Sequence, residues 1–443
     1  MLLKIDNKRD LIEKYPSLHK DFIRYNALEN ILRQEVIKSG MQMAAFSSEK
    51  EERKKIILQK LERCNVISRN KGRSLYVNYI SPACLDCTTG EYSQTYFYTL
   101  KCNYNCYFCS NRNQMNYDRH VMHINNALEE LKLTANHRTL KSVALTGGEP
   151  LLFPEKCYDF FSYTKKHIPL AHTRLYTNGS FLDEKVLERL KISGLNELRV
   201  SVKLDDALQY NNDIIEKVRL AVQYIPAVMI EMPVIPGSLD NMKELLLDLE
   251  KYGIKGINIL EFLYPWHSSE EYIKRGFSIK ATPYDVIYGY EYAGGLPVEG
   301  SELECLDLLL FALERELSLG VHYCSLENKL SSQIYFQNRS SELLPHEYMS
   351  VNDFFIKTAK VYDQEVSRAK KILGEHKHND YIENEELGYI EFHPKYVKLI
   401  PRGVPVGISY NIVEFDPDSG ESYMRELKID LTYPEMFCFE EDI

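Results

Sequence analysis

The segment TLKCNYNCYFCSNRNQ, residues 99–114, places Cys102, Cys106 and Cys109 within eight positions. A disulfide uses two thiols, and a structural zinc site usually takes four N or S ligands. The spacing C-x3-C-x2-C instead puts three thiolates on one short loop. Three thiolates can hold three irons of a 4Fe–4S cube and leave the fourth iron without a protein ligand from that loop. Most electron-transfer clusters use four cysteines, so a three-cysteine loop points to chemistry at the open iron. A zinc knuckle is the alternative for such a loop.

The loop follows directly on TYFYTL (95–100), an aromatic, β-prone run that opens a repeating rhythm. SVALTGG (142–148), HTRLYTNG (172–179), ELRVSVK (197–203), AVMIEMPVIPG (227–237) and KGINILEFL (255–263) read as further strands. NNALEELKL (125–133), PEKCYDFFSYTKKH (154–167), DEKVLERLKISG (183–194), NDIIEKVRLAVQYI (212–225) and NMKELLLDLEKYG (241–253) read as the helices between them. Pro154 suits a first helical turn, and Gly194 and Gly253 suit helix stops. Each unit is near the ~30 residues of a βαβ crossover, which predicts a parallel sheet. The fold class expected is α/β, a partial (β/α)6 TIM-type barrel rather than a closed eight-stranded one. In such barrels the loops after the strands form the active face, which places the cysteine loop at the mouth.

Outside this rhythm the character changes. Residues 1–91 read as an N-terminal helical segment ending in a CxxC loop. Its clearest helix is SSEKEERKKIILQKLERC (47–64), capped by Ser47 or Ser48, with Ile57, Leu58 and Leu61 as a short apolar face. Residues 92–265 are the barrel core, 266–375 a helical and loop-rich extension, and 376–443 a small β-rich module with DPDSG as a hairpin turn. Within the extension, SELECLDLLLFALERELSLG (301–320) is a helix opened by a capping box, Ser301 with Glu304. VHYCSL (321–326) reads as a strand and 350–375 as helical.

The chain has 443 residues, 44% hydrophobic and 27% charged, as an ordinary globular protein does. A net charge of −10 argues against general nucleic-acid binding. No run approaches the roughly 18 apolar residues of a membrane span, and the first residues lack the apolar core of a signal peptide. The expected address is the cytoplasm, with no membrane and no nucleic-acid partner. Ten cysteines at such an address point to metal or redox chemistry rather than disulfides.

A second signature joins the cysteine loop. LTGGEP (145–150) ends the second predicted strand, and Phe108 fills an aromatic place before Cys109. On C-x3-C-x-aromatic-C and GGEP together, residues 92–265 resemble the radical S-adenosylmethionine (SAM) superfamily. The resemblance implies a 4Fe–4S cluster on Cys102, Cys106 and Cys109, shielded by Phe108, with Asn103 and Asn105 suiting a tight loop. It implies SAM held at Gly147, Gly148 and Glu149, the glycines letting backbone approach the ligand and Glu149 offering a carboxylate. LYTNG (175–179) and RVSVK (199–203) look like further ligand-facing strand ends, with Asn178 and Ser201 toward the SAM ribose or carboxylate. No counterpart of the family's fifth-strand adenine motif is clear in AVMIEMPVIPG. The implied chemistry is one-electron reduction of SAM to methionine and a 5′-deoxyadenosyl radical, which removes hydrogen from an unactivated carbon. The electron comes from an external reductant of flavodoxin or ferredoxin type.

The remaining motifs leave alternatives open. Cys84 and Cys87 form a C-x2-C half-site for a second metal, iron–sulfur or zinc, which Cys324 or Cys305 would complete; the other reading is two reduced thiols in a turn. Cys324 is a candidate hydrogen-atom donor, auxiliary ligand or core thiol. Lys203 is a candidate for contact with SAM or substrate, or a rim lysine. Cys64, Cys157, Cys305 and Cys438 read as packing residues. Tyr264, Trp266 and His267 are a substrate wall or an aromatic corner. The substrate favoured is a peptide or protein side chain. A small metabolite, an activating role for a glycyl-radical enzyme, and a non-catalytic metal scaffold or electron carrier are the rivals.

Overall fold

In the computed structural model, Leu2 and residues 14–113, 116–204, 208–287 and 295–443 are described. Residues 3–13 of the expected N-terminal helical segment lie outside them. The chain divides into two compact units. One is built from the described residues within Val36–Pro283 and Gly289–Ser332, the other from those within Met1–Glu35, Tyr284–Tyr288 and Gln333–Ile443.

The first unit is α/β. Its parallel strands are β1 (Ser93–Thr99), β2 (Ser142–Gly147), β3 (His172–Thr177), β4 (Glu197–Val200), β5 (Ala227–Val234), β6 (Gly256–Glu261) and β7 (Gly320–Cys324). They lie side by side in chain order and all run parallel. The seventh strand is the run VHYCSL of the sequence, and it extends the sheet past the six-strand rhythm. Beyond it, Ser74–Val77 pairs antiparallel with β7, and Ile67–Arg69 completes a nine-stranded sheet.

Helices α1 (Ala127–His137), α2 (Pro154–His167), α3 (Glu184–Ser193), α4 (Asn212–Ala221), α5 (Leu239–Lys251) and α6 (Ser301–Glu314) connect the strands. Each lays one apolar stripe on the sheet. Leu187 and Leu190 of α3, and Leu245, Leu246 and Leu249 of α5, are fully buried in one core with Leu175, Leu198, Ile230 and Ile257 of the strands. The Asp183 side chain caps α3 by accepting from Val186 N at 2.7 Å, and Gly194 ends it at φ +96°. Ser47 caps the helix Ser48–Arg63 through Lys50 N, and its buried Ile57 and Leu61 join the same core.

The expected capping box at α6 is not what the structure contains. Gly300 is the cap, at φ +92°. Ser301 Oγ instead donates to Val234 O at 2.8 Å and accepts from Phe262 N at 2.8 Å. Glu304 accepts from Gly237 N at 2.6 Å. Both side chains tie α6 to the ends of β5 and β6, because the packed strand ends offer closer partners than the helix's own first turn.

The second unit carries an antiparallel sheet. Its centre is the hairpin Val406–Asp416 and Glu421–Thr432, paired from Val406↔Thr432 to Asp416↔Glu421. DPDSG closes it. Asp416 accepts from Asp418 N, and Gly420 takes φ +72°. Residues Ile356–Lys357 and Ala359–Tyr362 are strands of this sheet rather than helix, and the helix begins only at Val366. The β-branched and aromatic run FFIKTAKVY suits a pleated, half-buried surface better than a helix. Among the described residues no helix is long and apolar enough to cross a membrane.

Candidate active site

The cysteine loop leaves β1 at Thr99 and crosses directly over the end of β2. Gly148 N donates to Thr99 O and Glu149 N to Lys101 O, each at 2.7 Å. Asn111 Nδ2 returns to Gly147 O at 2.7 Å. This crossing explains the glycine pair. A Cβ on Gly147 would stand 2.1 Å from Thr99 O, and one on Gly148 would stand 2.0 Å from Lys101 O. The glycines therefore let the cysteine loop, a protein backbone, approach from one side. Gly148→Ala would push on backbone that cannot swing aside, at a cost of about 1–3 kcal/mol or more. Its expected result is a more than tenfold loss of iron uptake on reconstitution, read by iron analysis of the purified protein.

Glu149 follows and is fully buried. Its carboxylate accepts from Leu151 N at 3.0 Å, Thr177 Oγ1 at 2.8 Å and Asn178 N at 2.7 Å. Burial raises its pKa against these bonds. The side chain thus joins the ends of β2 and β3 from behind the site. Asn178 is committed in the same way. It donates to Asn103 Oδ1 at 2.7 Å and points Nδ2 at Cys102 Sγ, 3.7 Å away. Its Oδ1 accepts from Ser180 N at 2.9 Å. On the other side of the loop, His267 Nε2 donates to Cys109 O at 3.0 Å. The sequence reading of YPWH as a substrate wall or an aromatic corner did not include that role. Phe108 stacks edge-on to Tyr107 and Phe262, and Tyr107 to Tyr272, which fixes the aromatic side of the loop.

These elements enclose a cavity of about 270 Å³, near the lower end of small-molecule sites. Cys102, Cys106, Cys109, Phe108, Gly147 and Gly148 line it together with Asn178, Ser201 and Lys203. Lys203 lies 3.9 Å over the ring of Tyr104. Among the described residues no three His, Cys, Asp or Glu side chains converge as an assembled metal site, the loop thiols included. What fits an iron–sulfur cluster is the donor set, three thiols facing one cavity with aromatic cover.

Cys84, Cys87 and Cys324 are not among the lining residues. Cys84 enters a polar layer on the same face of the sheet, two residues earlier along the strands. Arg199 donates to Cys84 Sγ at 3.1 Å and is ion-paired with Glu197 and Glu231. Glu231 also accepts from Asn258 at 2.8 Å, and Asn258 bonds His322, which reaches Ser74. His172 meets Glu197 at 2.8 Å. Tyr176 lies over Arg174 and Arg199, 4.9 and 5.7 Å from ring to guanidinium, and its other side lines the cavity. The layer is the floor of the site. Burial opposes ionisation of Cys84, but Arg199, His322 and Arg174 outweigh it and bring the thiol down to about 6. A thiolate already paired with a guanidinium has its charge satisfied without a metal. Cys87 is exposed. Cys324 accepts from Asn328 at 3.2 Å, and burial pushes its thiol up to about 12. Cys157 and Cys305 are buried core residues, whereas Cys64 is exposed at a helix end rather than packed.

The Cys84 pairing has a pH signature. Its folded pKa is depressed, so its stabilisation is complete above the thiol's unfolded value and is lost as pH falls through about 6. The stability difference between the wild type and Cys84→Ser should therefore grow from pH 6 to pH 9 in urea titrations. A flat difference would remove the thiolate from the floor.

A sequence model of the Radical SAM superfamily matches residues 96–249, the stretch that contains both the loop and the glycine crossing. Over residues 96–249 the chain carries a radical SAM domain. The chain is an enzyme with that domain. A Methanocaldococcus jannaschii protein provisionally named a glycyl-radical enzyme activating enzyme is 28% identical over 300 residues, covering 64% of this chain and 74% of that one. Among solved structures, Streptococcus suis SuiB bound to its precursor peptide SuiA is 15% identical. That match covers 74% of this chain and 65% of SuiB, with a TM-score of 0.38. The radical SAM methyltransferase TsrM from Kitasatospora setae is 14% identical, covering 40% of this chain and 38% of its own, with a TM-score of 0.32. This chain spans less than two thirds of either solved chain.

Proposed function

We propose that this radical SAM enzyme removes a hydrogen atom from an unactivated carbon of a peptide or protein. The glycine Cα of a partner enzyme is the case favoured by the Methanocaldococcus relative. The observation that carries the reading is the single cavity that gathers the three loop thiols, the glycine crossing and Lys203. A sheet whose strands stand in chain order with helices between them supports a partial barrel, with seven parallel strands rather than six. When bound at the thiols, the cluster and SAM would supply a 5′-deoxyadenosyl radical, with the electron arriving from an external flavodoxin- or ferredoxin-type donor.

The chain's own residues do the rest. Phe108 and its aromatic neighbours keep water from the thiol side. Gly147 and Gly148 present backbone to the cavity, and Ser201 and Lys203 offer a hydroxyl and a cation for the polar end of SAM. Asn178, His267 and Glu149 position the walls.

The test is anaerobic reconstitution with iron and sulfide, followed by SAM and dithionite. Formation of 5′-deoxyadenosine is expected, and adding the partner protein should yield a glycyl-radical signal by electron paramagnetic resonance. No SAM cleavage, with a cluster spectrum unchanged by SAM, would overturn the reading.

A further inference from the structure

Two lysines line the cavity, and their surroundings differ. Lys203 sits at the cysteine end. It rests on Tyr104 of the loop and acts electrostatically on Cys109 and Glu149. Lys329 belongs to the far wall. It acts on Glu231 and Cys324, on β5 and β7. Lys203, with Arg112 of the loop, therefore supplies positive charge beside the thiols, and Lys329 stands apart from them.

The far wall is built to hold Lys329 in place. The residue lies in the first turn of the helix Leu326–Asn338. Glu261, at the end of β6, accepts from Leu326 N at 3.0 Å, and Ser325 Oγ accepts from Asn328 N at 3.1 Å. Asn70 donates to Asn328 Oδ1 at 3.0 Å, while Asn328 donates to Cys324. Two of these bonds hold the backbone of the turn that carries Lys329, and two hold its Asn328 side chain. Yet among the described residues its ammonium has no hydrogen-bond or ion-pair partner, although most of the neighbouring charges are paired. The cavity lining includes the apolar Pro233, Leu260, Phe262 and Leu263 together with Glu261, whose carboxylate is already held by Leu326 N and Lys280. With the neighbouring carboxylates committed to other partners, an ammonium in such a cavity gains most from an anion that arrives and is desolvated with it.

We infer that the substrate carries a carboxylate-type anion beside the carbon that reacts, and that Lys329 binds this anion at the end of the cavity away from the cysteine loop. A free carboxylate metabolite and an acidic residue next to the target residue of a peptide present the same group. The inference rests on the proposed function for its substrate role, but Lys329 can be read without turnover.

The probe is malonate, titrated calorimetrically into anaerobically reconstituted, SAM-loaded enzyme. Saturable binding is expected. It should weaken roughly 10- to 100-fold in Lys329→Met, as expected for loss of one charge-assisted contact, and recover largely in Lys329→Arg. SAM affinity should be unchanged in both variants, which separates Lys329 from the SAM site. Equal malonate binding by the wild type and Lys329→Met, or no binding by the wild type, overturns the inference whether or not SAM is cleaved.

Two heptapeptides with central glycine flanked by Asp or by Asn then distinguish the sources. If the Asp peptide stimulates 5′-deoxyadenosine formation more, and Lys329→Met erases the difference, the anion is a peptide residue. If only small carboxylates stimulate, it is a metabolite's own. Failure of SAM cleavage with malonate binding intact would sink the proposed function and leave the anion site standing.

Discussion

Alanine at Cys102, Cys106 and Cys109 together should leave no more than a trace of iron after reconstitution and no detectable 5′-deoxyadenosine. The three thiols line one cavity and are the cysteines facing it among the described residues. Cys84 and Cys87 remain in this variant, so it also asks whether they hold a second metal. The expected answer is no. Arg199 donates to Cys84 Sγ, and Glu197 and Glu231 complete the charge balance around it. A divalent ion there would have to displace a guanidinium that is 2% exposed. Residual iron at half the wild-type level or more in the triple variant, with normal circular dichroism, would restore the second site and contradict the floor described above.

Arg199→Met should be the most destabilising single change in the first unit. Its guanidinium is the shared partner of Glu197, Glu231 and Cys84. Burial opposes ionisation of Glu197, but Arg199, His172, Arg174 and Ser81 hold its carboxyl well below the usual carboxylate range. Removing Arg199 leaves buried anions without their common cation, and breaking such a pair costs about 3–5 kcal/mol. At about 2–4 °C per kcal/mol for a unit of this size, the melting temperature should fall by roughly 6–20 °C. A fall under about 2 °C would mean that the layer is hydrated and screened. Arg199→Lys should recover only part, because a lysine cannot serve three partners with a planar fork.

Much of the site was legible in the chain, for a local reason. Three thiols on one loop, and a glycine pair at a strand end, are dense signals whose chemistry does not depend on distant residues. The α/β rhythm was legible through helix stops such as Gly194 and through apolar strand runs. Other features were set by tertiary contacts that no local pattern carries. Ser301 and Glu304 have the spacing of a capping box but bond strand ends instead. The strands 356–357 and 359–362 sat in a stretch read as helix. The polar floor did leave a trace. Strands of a parallel sheet covered on both faces should be apolar throughout, yet Arg174, Arg199, Glu231, Asn258 and His322 each interrupt one. Read across strands rather than along them, those interruptions mark one layer. His267 and Lys329 left no such trace, since their roles come from where later segments fold back.

The crossing of the cysteine loop over Gly147 and Gly148 has a consequence for how this sequence can change. Two backbone hydrogen bonds and one from Asn111 make the two signatures one mechanical part, although some forty residues separate them along the chain. Inserting or deleting a single residue in either would shift its donors off the other's carbonyls. Substitutions around the cavity can be tried one at a time, but a length change in one segment would need a matching change in the other. Variation in length should therefore gather in the stretch between them, around α1, where the sheet demands only that the chain return.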